Sequence, residues 1–188
     1  MRQTKTSETH PLPLAEVIPS QDCGRILFTM CPGKVQPHAE TGPWERNLDT
    51  DFEAISSAGT TAVLTLMDED ELQRCAISPD LLRTACENHD IQWLHCPIED
   101  FQAPDAVWEN AWSTIGHTLR QKLRNAETIV VHCRGGRGRA GMVAARLLVE
   151  FGMAADEAMA LVRTQRPEAI ETTVQESHIR ACMPVTAT

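Results

Sequence analysis

Tyrosine is absent from the 188 residues, and the other aromatics are few: four Trp and four Phe. Basic residues are outnumbered, 17 Lys and Arg against 26 Asp and Glu, for a net charge of -9. Such a chain is not drawn as a whole to nucleic acid or to anionic membranes, so an anionic ligand needs a local positive site. No CxxC pair occurs among the seven cysteines, which removes the usual structural zinc spacings. No apolar run reaches the roughly 18 residues of a membrane span. The opening stretch MRQTKTSETHPLPLAEV has no apolar core of signal-peptide length, and N-x-S/T is missing. These absences lead us to expect a cytoplasmic protein with reduced thiols and no membrane span. The nucleotide-type phosphate loop GxxxxGK[ST] is also absent.

With 42% hydrophobic and 23% charged residues, the composition is globular. Residues 1–20 are polar with three prolines and read as a tail or extended lead-in; residues 21–185 read as one domain. RILFTM (25–30) is a short apolar run closed by the turn signal Cys31-Pro32-Gly33, and 34–48 reads as a loop. Residues 49–58 read as a helix, TTAVLTLM (60–67) as a buried strand, and Asp68 to Glu71 as an acidic turn. A helix over 79–89 and a strand IQWLHCPI (91–98) follow. Asp105 is a candidate N-cap before a stripe of Trp108, Trp112, Ile115, Leu119 and Leu123. TIVVH (128–132) is a β-branched strand, and 139–151 reads as a helix buried all round. Helices near 155–165 and 172–182 complete the chain. Strands alternating with helices predict an α/β fold, with a central, mostly parallel sheet flanked by helices. Ligands of such sheets bind beyond the carboxyl ends of the strands.

One of those ends carries His132-Cys133-Arg134-Gly135-Gly136-Arg137-Gly138-Arg139-Ala140-Gly141. A strand stops at a cysteine, three glycines permit a tight loop with inward N–H groups, and a helix then presents its positive end. The arrangement suits a tetrahedral oxyanion. The same field favours a thiolate at Cys133. Arg139 lies across the loop, where its planar fork can grip two phosphate oxygens.

This segment resembles the HCxxGxxR[ST] signature of the protein tyrosine and dual-specificity phosphatases. CPG (31–33), PIED (97–100) with PD (104–105), and AIETTVQ (169–175) extend the resemblance toward the kinase-associated phosphatase branch. The resemblance implies a cysteine-phosphatase fold that needs no metal or other cofactor. It also implies a two-step route. Cys133 attacks phosphorus to form a phosphocysteine. Arg139 and the loop residues Arg134, Gly135, Gly136, Arg137 and Gly138 bind the phosphoryl group. A general acid protonates the leaving oxygen, and water clears the intermediate. Asp100 matches the acid, with Asp105 and Glu99 as rivals. His132 would order the loop, and Gln175 would position the water, although Thr172-x-x-Gln175 also reads as a capping box.

Two departures stand out. Ala140 occupies the place of the usual Ser or Thr, whose hydroxyl helps the thiolate leave, so slow clearance of the intermediate is expected. Arg134 and Arg137 add cations to the rim, as in phosphatases of the phosphatase-and-tensin-homologue type. The expected partner is therefore a phosphorylated protein or another anionic phosphomonoester, with phosphoinositides or inositol phosphates as the alternative. A phosphoprotein-binding pseudophosphatase and a rhodanese-like sulfurtransferase are the competing classes. Cys96 is read as a core cysteine, with a disulfide to Cys133 as the alternative.

Overall fold

The computed structural model describes residues 3–186. Five strands form the main sheet in the order β1 (Ala15–Val17), β2 (Ile26–Met30), β7 (Thr128–Cys133), β5 (Thr60–Thr65), β6 (Gln92–His95). β1 runs antiparallel to β2, and the remaining pairs are parallel. A separate two-stranded ribbon, β3 (Val35–Gln36) and β4 (Trp44–Glu45), lies in the segment expected to be a loop. Its strands are two residues each, too short to leave a periodic signal. The lead-in is packed against the domain: Leu12 and Val17 are buried, because β1 covers the edge of β2.

Side chains alternate between two faces. Ile26, Phe28, Leu64, Ile129 and Val131 face α4 (Ala106–Arg124), α5 (Gly138–Glu150), α6 (Ala155–Gln165) and α7 (Thr173–Ala181). Leu27, Val63 and Val130 face α1 (Leu48–Ser57), α2 (Glu69–Arg74) and α3 (Pro79–Glu87). Every residue of α5 is buried: its many apolar residues require it, and its charged residues Arg139, Arg146 and Glu150 are buried in ion pairs. Asp105 caps α4 by accepting from the Trp108 amide at 2.8 Å. The expected acidic turn at 68–71 is instead the start of a helix. Asp68 caps α2, accepting from the Glu71 amide at 2.7 Å, and three acids fill the first turn, where the helix dipole favours them.

The turn after β2 is fixed by a buried ion pair. Arg46 meets Asp51 through Nε–Oδ2 at 2.8 Å and Nη2–Oδ1 at 2.7 Å, and its Nη1 donates to the His10 carbonyl. Asp51 Oδ2 also accepts from the Gly33 amide at 2.9 Å. Gly33 has φ +69, and a Cβ there would come within 2.8 Å of Leu48, so only glycine suits the turn. This turn abuts the Cys133 loop: Lys34 Nζ donates to the Arg134 carbonyl at 3.1 Å. Asp51→Ala strands Arg46 without its counter-charge and is expected to cost about 3–5 kcal/mol of stability in urea unfolding. A loss below about 1 kcal/mol would show that the pair does not fix the turn.

Candidate active site

β2, β7 and β5 end together, and three loops converge beyond them. The segment 133–139 leaves β7 and enters α5. Gly136 has φ +68, and a Cβ there would lie 2.2 Å from the Thr29 backbone, so the loop can hug β2 only with glycine at this position. Its amide donates to Cys133 Sγ at 3.2 Å. Cys133 is 3% exposed and lines the floor of a cleft of about 290 Å³. Arg134, Gly135, Arg137 and Asp100 line the same cleft.

Arg139 is the most enclosed cation of the site, at 1% exposure. Glu71 grips it with two bonds, 2.5 Å to Nη1 and 2.9 Å to Nη2. Nη1 also donates to the Ile98 carbonyl at 2.8 Å, and Nη2 lies 3.0 Å from Asp100 Oδ1. Carboxylates on both sides push its pKa further up despite burial. Its Nε is buried without a partner, leaving one donor available to an anion. Glu71 was not singled out from sequence. The signal that could have found it is general: a buried arginine demands a carboxylate.

Asp100 bridges the rim. One carboxylate oxygen meets Arg139 and the other accepts a hydrogen bond from Arg134 Nη2. Asp105 is spent on its cap, and Glu99 is exposed and lines a second, smaller pocket with Trp108. Arg137 reaches Glu168 at 3.7 Å. Lys34 and Arg166 also line the cleft, and neither was singled out from sequence. Arg166 donates to the Gly135 carbonyl at 2.9 Å; burial, and then the like charge of Arg137, push its pKa down. Gly138 gives its amide to Glu171 Oε2 at 2.9 Å. Gln175 is fully buried; its Oε1 accepts from the Glu171 amide at 2.9 Å, so only the Thr172 half of the expected capping box forms.

His132 is buried beneath the loop. Its Nε2 lies 2.8 Å from Thr65 Oγ1, which also accepts from Trp93 Nε1 at 3.0 Å. Burial, and then neighbouring His95, press its pKa down to about 3, so it brings no positive charge to Cys133. Cys96 packs in the core, where burial raises its thiol to about 11; every cysteine is free. Among the described residues no cluster of His, Cys, Asp and Glu suits a metal ion.

Below pH ~6.5 the unfolded chain protonates His132 and the folded chain does not, so its contribution to stability falls from about pH 6.5 down to 3. At pH 4.5 we expect the native protein to have lost ~2–3 kcal/mol from this group relative to pH 7, and His132→Gln to lose that much less. Equal pH slopes for both proteins in chemical denaturation would show that His132 is not the titrating group.

Comparison with known proteins agrees with this geometry. Residues 41–179 match the family described as "Swiss Army Knife protein, DSP-PTPase phosphatase domain". Cyclin-dependent kinase inhibitor 3 of Rattus norvegicus is 32% identical over 140 residues, which span 73% of this chain and 59% of that relative. Protein tyrosine phosphatase type IVA 3 of Mus musculus is 28% identical over 130 residues, 68% of each chain. Among solved structures, kinase associated phosphatase with its catalytic-site cysteine replaced by serine superposes with a TM-score of 0.76 at 25% identity, covering 90% of this chain and 92% of that one. Tk-PTP in its active form gives 0.65 at 25% identity, covering 88% and 94%.

Proposed function

Because this chain belongs to the dual-specificity and protein tyrosine phosphatase family, we propose that it is a cysteine-dependent phosphomonoester hydrolase acting on phosphoproteins. The observation that carries this reading is the Cys133 sulfur, 3.2 Å from the Gly136 amide, on the floor of a cleft beside a clamped Arg139. The sulfur attacks phosphorus. The loop amides and the free Nε–H of Arg139 receive the phosphoryl oxygens, where charge grows during transfer. Arg139 is held in place before substrate arrives, so little reorganisation is needed at the moment of reaction.

Asp100 is the general acid in this reading. It already stands at the anion site through Arg134 and Arg139. An incoming phosphate competes for Arg139 and turns the carboxyl toward the leaving oxygen. Its loop includes Phe101 at φ +61, half exposed at the wall of the cleft, which gives a substrate side chain an apolar surface. The relatives' names tie them to kinases or to phosphotyrosine. For this chain, a phosphorylated protein is the partner class that the family suggests. No helix among the described residues is long and apolar enough to cross a membrane.

A second reading keeps the chemistry and changes the substrate to an inositol phosphate or phosphoinositide. Arg134 is engaged by Asp100, so it favours this reading less than its charge suggests. Arg137, Arg166 and Lys34, all lining the cleft, favour it more.

Cys133→Ser is expected to abolish phosphate release from phosphopeptides, and Asp100→Ala to lower kcat by roughly 10²–10⁴-fold. Full activity in Cys133→Ser would remove the reading; binding without turnover in the native protein would make the chain a phosphoprotein-binding module. The substrate readings separate in a panel of phosphotyrosine peptide, phosphothreonine peptide and inositol phosphates assayed with native protein and Arg137→Ala/Arg166→Ala. The first reading expects the peptides to turn over best and to survive the double substitution. The second expects inositol phosphates to lead and to lose most.

A further inference from the structure

The loop from α6 to α7 carries a second carboxylate into the cleft. Glu171 lines it together with Cys133 and Asp100, and its Oε2 accepts from the Gly138 amide at 2.9 Å. Gly138 is the last loop residue before Arg139 and the first of α5. The approach is close, and the exposed tip of Glu171 would have to swing aside for any side chain there. A Cβ on Gly138 would stand 2.4 Å from Glu171 Oε2.

Glu171 is held from several sides. Ile170 before it adopts φ +62, outside the usual range for a β-branched residue. Arg163 fastens that turn by donating to the Ala169 carbonyl at 3.1 Å and to the Ile170 carbonyl at 3.0 Å. The Glu171 amide donates to Gln175 Oε1 at 2.9 Å. Gln175, fully buried, spends its other amide group on the Gln102 carbonyl at 3.5 Å. Its second Nε2 hydrogen stays available beside the loop, next to the carboxylate that it positions.

The geometry points to Glu171 as a further catalytic residue: the base that takes the proton of the attacking water when the phosphocysteine is hydrolysed. This rests on the phosphocysteine route proposed above. A phosphoryl group on Cys133 claims the Gly138 N–H and releases the carboxylate beside it. The oxygen of a water held there attacks phosphorus. The sulfur–phosphorus bond breaks, its electron pair returns to Cys133 as the thiolate, and the water proton passes to Glu171 before release to solvent. No oxidant or other reactant is needed. A base at this point also offsets the missing hydroxyl at Ala140, since a stronger nucleophile relieves the demand on the leaving thiolate.

The test is rapid-quench kinetics with an aryl phosphate on native protein and Glu171→Gln, which keeps an acceptor for the Gly138 amide. We expect about one equivalent of aryl alcohol to appear at a near-native rate, followed by phosphoenzyme breakdown slowed by on the order of 10²-fold. In Glu171→Ala, added formate is expected to restore part of the breakdown rate, a readout that a purely structural role would not move. Native breakdown in Glu171→Gln, or slowing confined to phosphoenzyme formation, would overturn this role while leaving the phosphocysteine route intact. If neither the native protein nor Glu171→Gln forms a phosphoenzyme while turning over substrate, both fall.

Discussion

The guanidinium of Arg139 is buried, and a charge in that position costs several kcal/mol unless it is paired and fully bonded. Glu71 supplies the charge from α2, the Ile98 carbonyl supplies an acceptor from the loop after β6, and Asp100 lies against Nη2, which leaves Nε as the one donor without a partner. One side chain thereby ties together the loops after β5, β6 and β7. Their relative placement is what a phosphoryl-transfer site needs: a nucleophile, an oxyanion clamp and an acid on three separate elements, held to within a fraction of an ångström. The buried Arg46–Asp51 pair does the corresponding work one loop away, fixing the turn at Gly33 on which Lys34 reaches the Arg134 carbonyl.

Carboxylates of the protein itself sit on several donors of the site. Asp100 sits on Arg134 and Arg139, and Glu171 sits on the Gly138 amide, so two carboxylates occupy donors that a phosphate would use. In the proposed reaction, substrate binding is an exchange of internal anions for an external one, and the release of both carboxyl groups beside the phosphorus is part of that proposal. This arrangement also explains how an acidic chain can hold an anion: the positive field is confined to one loop and its rim.

Much of this was legible because it is local. Cys133, the glycines and Arg139 lie in one strand–loop–helix unit, and the burial of the apolar residues of α5 follows from its sequence, whereas that of Arg146 and Glu150 depends on ion pairs with other elements. Asp100 came from resemblance, and its meeting with Arg139 is a tertiary fact. Glu71 was illegible for the opposite reason. Asp68 and Glu71 form a local acidic pattern, whereas the Glu71 side chain serves a residue 68 positions away. Glu171 was hidden in the same manner inside AIETTVQ, where Thr172 and Gln175 gave a sufficient local explanation. Lys34 and Arg166 join the cleft only because the turn after β2 and the loop after α6 fold over it. The ribbon of β3 and β4 was too short to leave a periodic trace.

The central claim is that a covalent bond forms between phosphorus and the Cys133 sulfur. Acid quenching of the native protein in mid-turnover on an aryl phosphate, followed by peptide mass spectrometry, tests it directly. One phosphoryl group is expected on the peptide containing Cys133, carried by the cysteine. Phosphoryl on any other residue, or turnover with no covalent adduct at any time point, would contradict it.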